Sequence, residues 1–182
     1  MHVSGNELIN PFKVLEACGV VHGFHVADLG CGALGHFVFP AAQMVGGEGK
    51  VYAVDVMKDV LRSIERIQRQ EQFFNVYPVW SDVEVVGATR IPEASLDLAI
   101  IANNLFLSKS REHMITEALR LLKVGGRILL IEWKREKTPI GPDVEHRLAE
   151  HDARAYLKRE ELLYKGRFDA GEYHYALVAE KQ

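Results

Sequence analysis

Val26-Ala27-Asp28-Leu29-Gly30-Cys31-Gly32-Ala33-Leu34-Gly35 is the stretch on which the reading of this chain turns. The apolar run from Phe24 to Leu29 has the form of a buried strand, three glycines follow, and His36 to Val45 has the apolar spacing of a helix. Strand, glycine loop and helix in that order form the sequence pattern of a nucleotide-type cofactor site. Glycine permits a tight turn at positive φ and removes the Cβ that would hold a ligand off the backbone. The helix behind the loop points unpaired N–H groups and its positive dipole end at whatever lies there.

The surroundings of that stretch are those of a globular protein. The chain has 182 residues, 48% of them apolar and 26% charged, with a net charge of −3. That length suits a single domain, taken as residues 1–182, which buries roughly 70% of its unfolded surface. The small acidic balance carries no strong nucleic-acid signal. Two cysteines, Cys18 and Cys31, are too few for a disulfide framework or a dedicated metal site, so no metal is expected and a reducing, cytoplasmic setting fits. No apolar run approaches the ~20 residues that would span a bilayer. Met1 to Asn6 lacks the basic start and apolar core of a signal peptide.

Working outward, Pro11 to Cys18 reads as a short helix after Asn10 and before Gly19. Lys50 to Asp55 reads as a second strand ending in a carboxylate, and Lys58 to Gln70 as an amphipathic helix. Asn75 to Trp80 is a short strand whose Pro78 assigns it to an edge or a bulge. Val83 to Ser95 leaves little room for a helix. Leu96 to Ala102 is a buried strand, Arg111 to Leu122 a helix, Val124-Gly125-Gly126 a turn and Arg127 to Trp133 a further strand. The charged stretch Asp143 to Leu163 predicts one helix. Arg167-Phe168 and Tyr173 to Ala179 predict a closing antiparallel hairpin. The sum is an α/β fold: a three-layer, Rossmann-like, doubly wound and mainly parallel seven-stranded sheet with a C-terminal antiparallel hairpin.

Gly30-Cys31-Gly32-Ala33-Leu34-Gly35 matches G-x-G-x-x-G literally, and Asp55 follows Gly35 by 20 residues. That spacing is the dinucleotide fingerprint, so a nicotinamide oxidoreductase is one reading. Asp28 argues against it, because a carboxylate two residues before Gly30 repels a pyrophosphate and attracts a ligand carrying an ammonium. A non-catalytic cofactor-binding module is the remaining alternative.

The segment Val26 to Gly32, Asp55 at its strand end, Ser81-Asp82, the strand from Asp97 to Asn103 and Leu121-Leu122-Lys123-Val124-Gly125-Gly126-Arg127 together resemble a class I S-adenosylmethionine-dependent methyltransferase. Glu132-Trp133-Lys134, Thr138-Pro139-Ile140-Gly141-Pro142 and Tyr173-His174-Tyr175 resemble the small ubiquinone/menaquinone-biosynthesis-type branch. Gly35 departs from the commonest motif by one position. The resemblance implies S-adenosylmethionine as cofactor, S-adenosylhomocysteine as product and methyl transfer by direct displacement. It implies that Gly30, Cys31, Gly32 and Gly35 cradle the methionine part, with Asp28 beside its ammonium. Asp55 is expected to accept the ribose hydroxyls, Val56 and Met57 to pack on adenine, and Ser81, Asp82 and Val83 to hold the adenine edge. Asn103 and Leu105 are expected near the sulfonium. Local roles compete: Asp55 also suits a helix N-cap, and Ser81-Asp82 is ordinary turn chemistry. The candidate bases are His174, Glu132 and His36, in that order, with a packed strand residue the competing reading of His174. A cap over the cofactor is expected from residues 1–22 and from the loop Glu132 to Pro142. The acceptor is expected to be a small molecule, quinone-like or phenolic. RNA or protein acceptors are the alternative, and a monomer or homodimer is expected.

Overall fold

The computed structural model describes residues 8–182; the first seven residues of the expected N-terminal cap lie outside them. The chain winds through α1 (Pro11–Ala17), β1 (His25–Leu29), α2 (Val38–Val45), β2 (Lys50–Asp55), α3 (Lys58–Gln70) and β3 (Val76–Trp80). It continues through β4 (Leu96–Ala102), α4 (Arg111–Leu121), β5 (Leu122–Trp133), a 3-10 turn (Val144–His146), α5 (Glu150–Tyr156), β6 (Leu162–Gly171) and β7 (His174–Lys181). One seven-stranded sheet has the order β3-β2-β1-β4-β5-β7-β6. Strands β1 to β5 pair in parallel, and β7 runs antiparallel between β5 and β6. The winding reverses between β1 and β4, and the crevice beyond the carboxyl ends of strands at such a reversal is where open α/β sheets bind ligands.

Strand alternation sends side chains into two separate cores. Val26, Leu98, Ile100, Leu129, Ile131, Ala176 and Val178 pack under α1, α2 and α3. Ala27, Leu29, Ala99, Ile101, Ile128, Leu130 and Tyr175 pack under α4 and α5. Each central strand is therefore buried on both faces and reads as a continuous apolar run.

Local chemistry explains both ends of α1. The Asn10 side chain accepts from Lys13 N–H to start α1, and Gly19 takes φ +72° after its end. β3 lies on the sheet edge, where Pro78 costs only one direction of pairing. No helix fills the stretch between β3 and β4, in line with its turn-rich sequence.

Several boundaries differ from the sequence reading; β6, read from Arg167-Phe168 alone, runs from Leu162 to Gly171. α2 begins at Val38, not His36, because residues 30–37 form an extended glycine turn. Val124 to Gly126 is a bulge inside β5, not a free turn: Gly125 has φ +80°, and a Cβ on Gly126 would lie 2.7 Å from the Leu96 carbonyl. The single helix expected over Asp143 to Leu163 is broken into a 3-10 turn and the seven-residue α5, with Leu162 already in β6. Long-range contacts overrule the helical charge pattern there. Arg147 points back into the preceding loop, and the Tyr175 hydroxyl donates to the Leu148 carbonyl at 2.9 Å.

Candidate active site

The glycine turn is tied down by its neighbours. Gly30 and Cys31 N–H both donate to the Val54 carbonyl of β2, at 2.8 and 3.0 Å. Gly30 has φ +89°, and a Cβ there would lie 2.4 Å from Asn104 Nδ2. That amide nitrogen donates to the Gly30, Ala102 and Leu29 carbonyls at 2.8, 3.0 and 3.3 Å. Asn104 therefore staples the end of β4 to the end of β1. Its two partners on the β1 side, Leu29 and Gly30, lie 75 and 74 positions away, out of reach of a reading along the sequence. Gly32 has open space where a Cβ would stand.

Asp55 closes the second edge of the turn. Its Oδ2 accepts from Gly32 N–H at 3.3 Å and its Oδ1 from Met57 N–H at 2.9 Å. The α3 N-cap is Met57, so Asp55 is a turn residue rather than the cap. A carboxylate has about four lone-pair sites, so two remain for ligand hydroxyls. Beyond it lies a groove of about 600 Å³ whose lining includes Val56, Trp80, Ser81, Asp82 and Arg90. Val56 and Met57 are exposed. Asp82 Oδ1 accepts from Glu84 N–H at 2.9 Å, the turn chemistry its sequence suggested. Ser81 turns inward to Thr89, and Val83 packs on the core beneath α4, so neither offers its side chain freely.

A second, smaller cavity of about 200 Å³ opens at the carboxyl ends of β1 and β4. Asp28, Gly30, Cys31, His36, Phe37, Asn103, Trp133 and His174 stand on its wall, with Leu8 and Ile9 from the N-terminal segment. Three residues of that wall, Asp28, Asn103 and His174, each bury a polar atom (Oδ1, Oδ1 and Nδ1) that finds no hydrogen-bond partner among the described residues. Folded proteins leave few such atoms, and three of them gather around this one cavity.

The environment sets the protonation of each group. Asp28 is 2% exposed. Burial, helped by the charge of Asp55, pushes its carboxyl up to about 7. Burial, then the Asp28 and Asp55 charges, holds the Cys31 thiol far above its ordinary value, which fits a small loop residue and not a nucleophile. Burial, then the charges of Arg147, Lys134 and His36, pulls His174 down to about 4. Asn103, at φ +54°, places its Nδ2 at 3.2 Å from His174 Nε2. With the amide donating, the His174 proton sits on Nδ1. His36 Nε2 lies 3.0 Å from the Ile9 carbonyl, so that nitrogen carries the proton and Nδ1 is left as an acceptor. Burial lowers the His36 pKa as well.

Several expected residues lie elsewhere. Glu132 points to the opposite face of β5 from Trp133, beneath α4, and does not reach the cavity. Its Oε1 accepts from Leu105 and Phe106 N–H at 2.8 and 3.2 Å, so it shapes the turn after β4. Leu105 is fully buried in the core on that same face. Gly35 faces Phe39 and Ile64, where a Cβ would come within 2.8 Å of both, so it serves packing and not the cavity. Lys134 to Pro142 contribute no residue to the cavity wall, on which Trp133 stands. No cluster of His, Cys, Asp and Glu able to hold a metal occurs among the described residues.

A family model described as a methyltransferase domain matches residues 21–175. The chain belongs to that family. Its class I fold is supported by a solved S-adenosylmethionine-dependent methyltransferase from Aquifex aeolicus, which is 25% identical with a TM-score of 0.91, over 100% of this chain and 94% of that one. The ubiquinone/menaquinone biosynthesis C-methyltransferase of Pseudoalteromonas translucida is 29% identical over 129 residues, 70% of this chain and 50% of the relative. The demethylmenaquinone methyltransferase of Lactococcus lactis is 27% identical over 128 residues, 70% and 49%. The methyltransferase domain thus stands near the ubiquinone/menaquinone-type branch, and spans about half the length of the curated relatives it matches. Among the described residues no helix is long and apolar enough to cross a membrane.

Proposed function

We propose that this domain binds S-adenosylmethionine across the groove and the cavity and methylates a small molecule seated beside His36, Asn103, Trp133 and His174. When bound, the cofactor supplies a methyl group on a positively charged sulfur, open to direct displacement by a nucleophile. The observation that carries the reading is the trio of cavity-lining residues that each bury a polar atom with no partner among the described residues. Asp28 Oδ1 suits the ammonium of the methionine end, Asp55 has lone pairs left for two ribose hydroxyls, and the groove beside Val56 and Asp82 suits adenine. A nicotinamide cofactor fits worse, since a pyrophosphate on the glycine turn would lie beside the Asp28 carboxyl.

On the acceptor side the residues orient and desolvate. The ring side chains Trp133, Phe37, His36 and His174 line the cavity, which supports a ring-bearing acceptor. Two relatives are named for methylation in quinone biosynthesis, in keeping with that shape. His174 stays neutral at physiological pH and offers an Nδ1 donor to hold the acceptor. His36 keeps an unprotonated Nδ1 and is the better-placed group to take a proton, which reverses the order drawn from sequence. Alignment supplies most of the rate in such a displacement, and a base adds to it when the nucleophile must lose a proton.

The test is a thermal-shift panel followed by labelled-methyl transfer into a metabolite extract. S-Adenosylmethionine and S-adenosylhomocysteine should both stabilise the protein, and Asp55→Ala should remove most of that shift. Saturable binding of NADH, with no response to either sulfur compound, refutes the proposal.

A further inference from the structure

We propose that Arg147 is a positioning residue for this site: it latches the loop 134–142 against Trp133, and Trp133 in turn seats the His174 ring on Asn103. Its importance for catalysis rests on the acceptor reading above, whereas the contacts themselves do not.

Arg147 is 5% exposed. Its Nε donates to the Pro142 carbonyl at 2.8 Å, and its Nη1 to the Lys134 and Glu136 carbonyls at 2.9 and 2.8 Å. Its Nη2 donates to Thr138 Oγ1 at 2.6 Å and to the Ile140 carbonyl at 3.3 Å. All five guanidinium donors are thus used on one loop, and none of these partners is a carboxylate. A buried cation held only by neutral oxygens is costly. A fork of fixed donors suits gathering five oxygens of one loop, which a lysine with three donors cannot do.

The gathered loop lies on the indole. Gly141 has φ +93°, and a Cβ there would stand 2.6 Å from the six-membered ring of Trp133. The Arg147 guanidinium carbon is 5.2 Å from the Trp133 ring centre, within cation–π range. Trp133 and His174 ring centres are 4.1 Å apart, and His174 Nε2 meets Asn103. A chain of direct contacts therefore runs from Arg147 to the cavity wall, although neither Arg147 nor its loop lines that cavity. The charged and titratable groups around His174 are Arg147, Lys134 and His36, with Asp28 on the same cavity wall. Lys134 is paired with Asp169 at 3.0 Å.

Trp133 is one of two tryptophans, so Trp80→Phe leaves it as the sole indole reporter. A protonated imidazole beside an indole quenches its emission, so emission against pH reads the charge on His174. In the Trp80→Phe background, emission should stay flat from pH 8 to 5. Adding Arg147→Met should raise the quenching midpoint into the range between pH 5 and 6.5 and make Trp133 at least twofold more accessible to acrylamide. Arg147→Lys keeps the charge but loses the fork, so accessibility should rise while the midpoint stays below pH 5. Thr138→Val removes one of the five contacts, is the milder change if the methionine variant does not fold, and should raise accessibility by a smaller factor. Unchanged accessibility in the lysine and valine variants, or an unchanged midpoint in a folded methionine variant, overturns the proposal. Thermal shift with S-adenosylhomocysteine is run separately on protein retaining Trp80; its absence there sinks the cofactor reading and leaves the fluorescence result standing.

Discussion

Replacing Asp28 by asparagine should stabilise the fold at alkaline pH while weakening the site. Burial and the charge of Asp55 raise the folded-state pKa of Asp28 from 3.8 to about 7. Between those two values the folded chain holds a proton that the unfolded chain has released. Stability contributed by the protonated group is therefore complete below pH 4, drains as pH climbs, and is gone above about 7. The gap is roughly three pH units at about 1.4 kcal/mol each, so the loss is at most about 4 kcal/mol. An asparagine side chain at this position has the shape of the protonated acid and no such loss. Urea unfolding at pH 5, 6, 7 and 8 should show the Asp28→Asn variant gaining on the parent at each step, toward a plateau above pH 7. Affinity for S-adenosylhomocysteine should move the other way, because the ammonium needs the ionised acid. In the parent the Kd should rise roughly tenfold per pH unit below 7. A stability gap that stays constant from pH 5 to 8 would show that Asp28 is not a strained buried acid, and would refute the reasoning.

Three further outcomes follow from the contacts described. Asn104→Ala strips the donor from the Gly30, Ala102 and Leu29 carbonyls. It should cost about 1–3 kcal/mol in urea unfolding, and a change below about 0.5 kcal/mol would remove its stapling role. Glu132→Ala leaves one buried and one partly buried N–H group without an acceptor and should cost about 2–4 kcal/mol, whereas Glu132→Gln retains an oxygen for them. Since burial lifts Glu132 to about 8, the glutamine variant should also overtake the parent as pH rises from 5 to 8, and denaturation at both pH values decides this. His36→Gln should lower labelled-methyl transfer into the extract by roughly 100-fold or more if that ring takes the proton. His174→Gln should lower it less, and the opposite ranking restores the order drawn from sequence.

Much of the site was visible along the chain because its parts lie at strand ends. Asp28, Gly30, Gly32 and Asp55 are legible: Asp28 is an acid inside an apolar run, and the others stand where an apolar run gives way to glycine or an acid. Glu132 was misplaced because adjacency to Trp133 in sequence means the opposite face in a strand, so one of that pair must point away from the cavity. Asn104 and Arg147 escaped notice for a different reason. Apart from the Thr138 hydroxyl, their partners are main-chain oxygens, which carry no residue-type signal, and those of Asn104 belong in part to a distant strand.

The amino-acid order alone determined which segments are strands buried on two faces, and that a glycine turn flanked by two acids stands at their ends. Continuous apolar runs and glycine placement are local properties, and they need no partner to be read. Tertiary structure decided which side chains share a cavity, which acid points away from it, and how far burial shifts each proton. Those outcomes depend on strand order, on the face each residue takes, and on the dielectric its distant neighbours create.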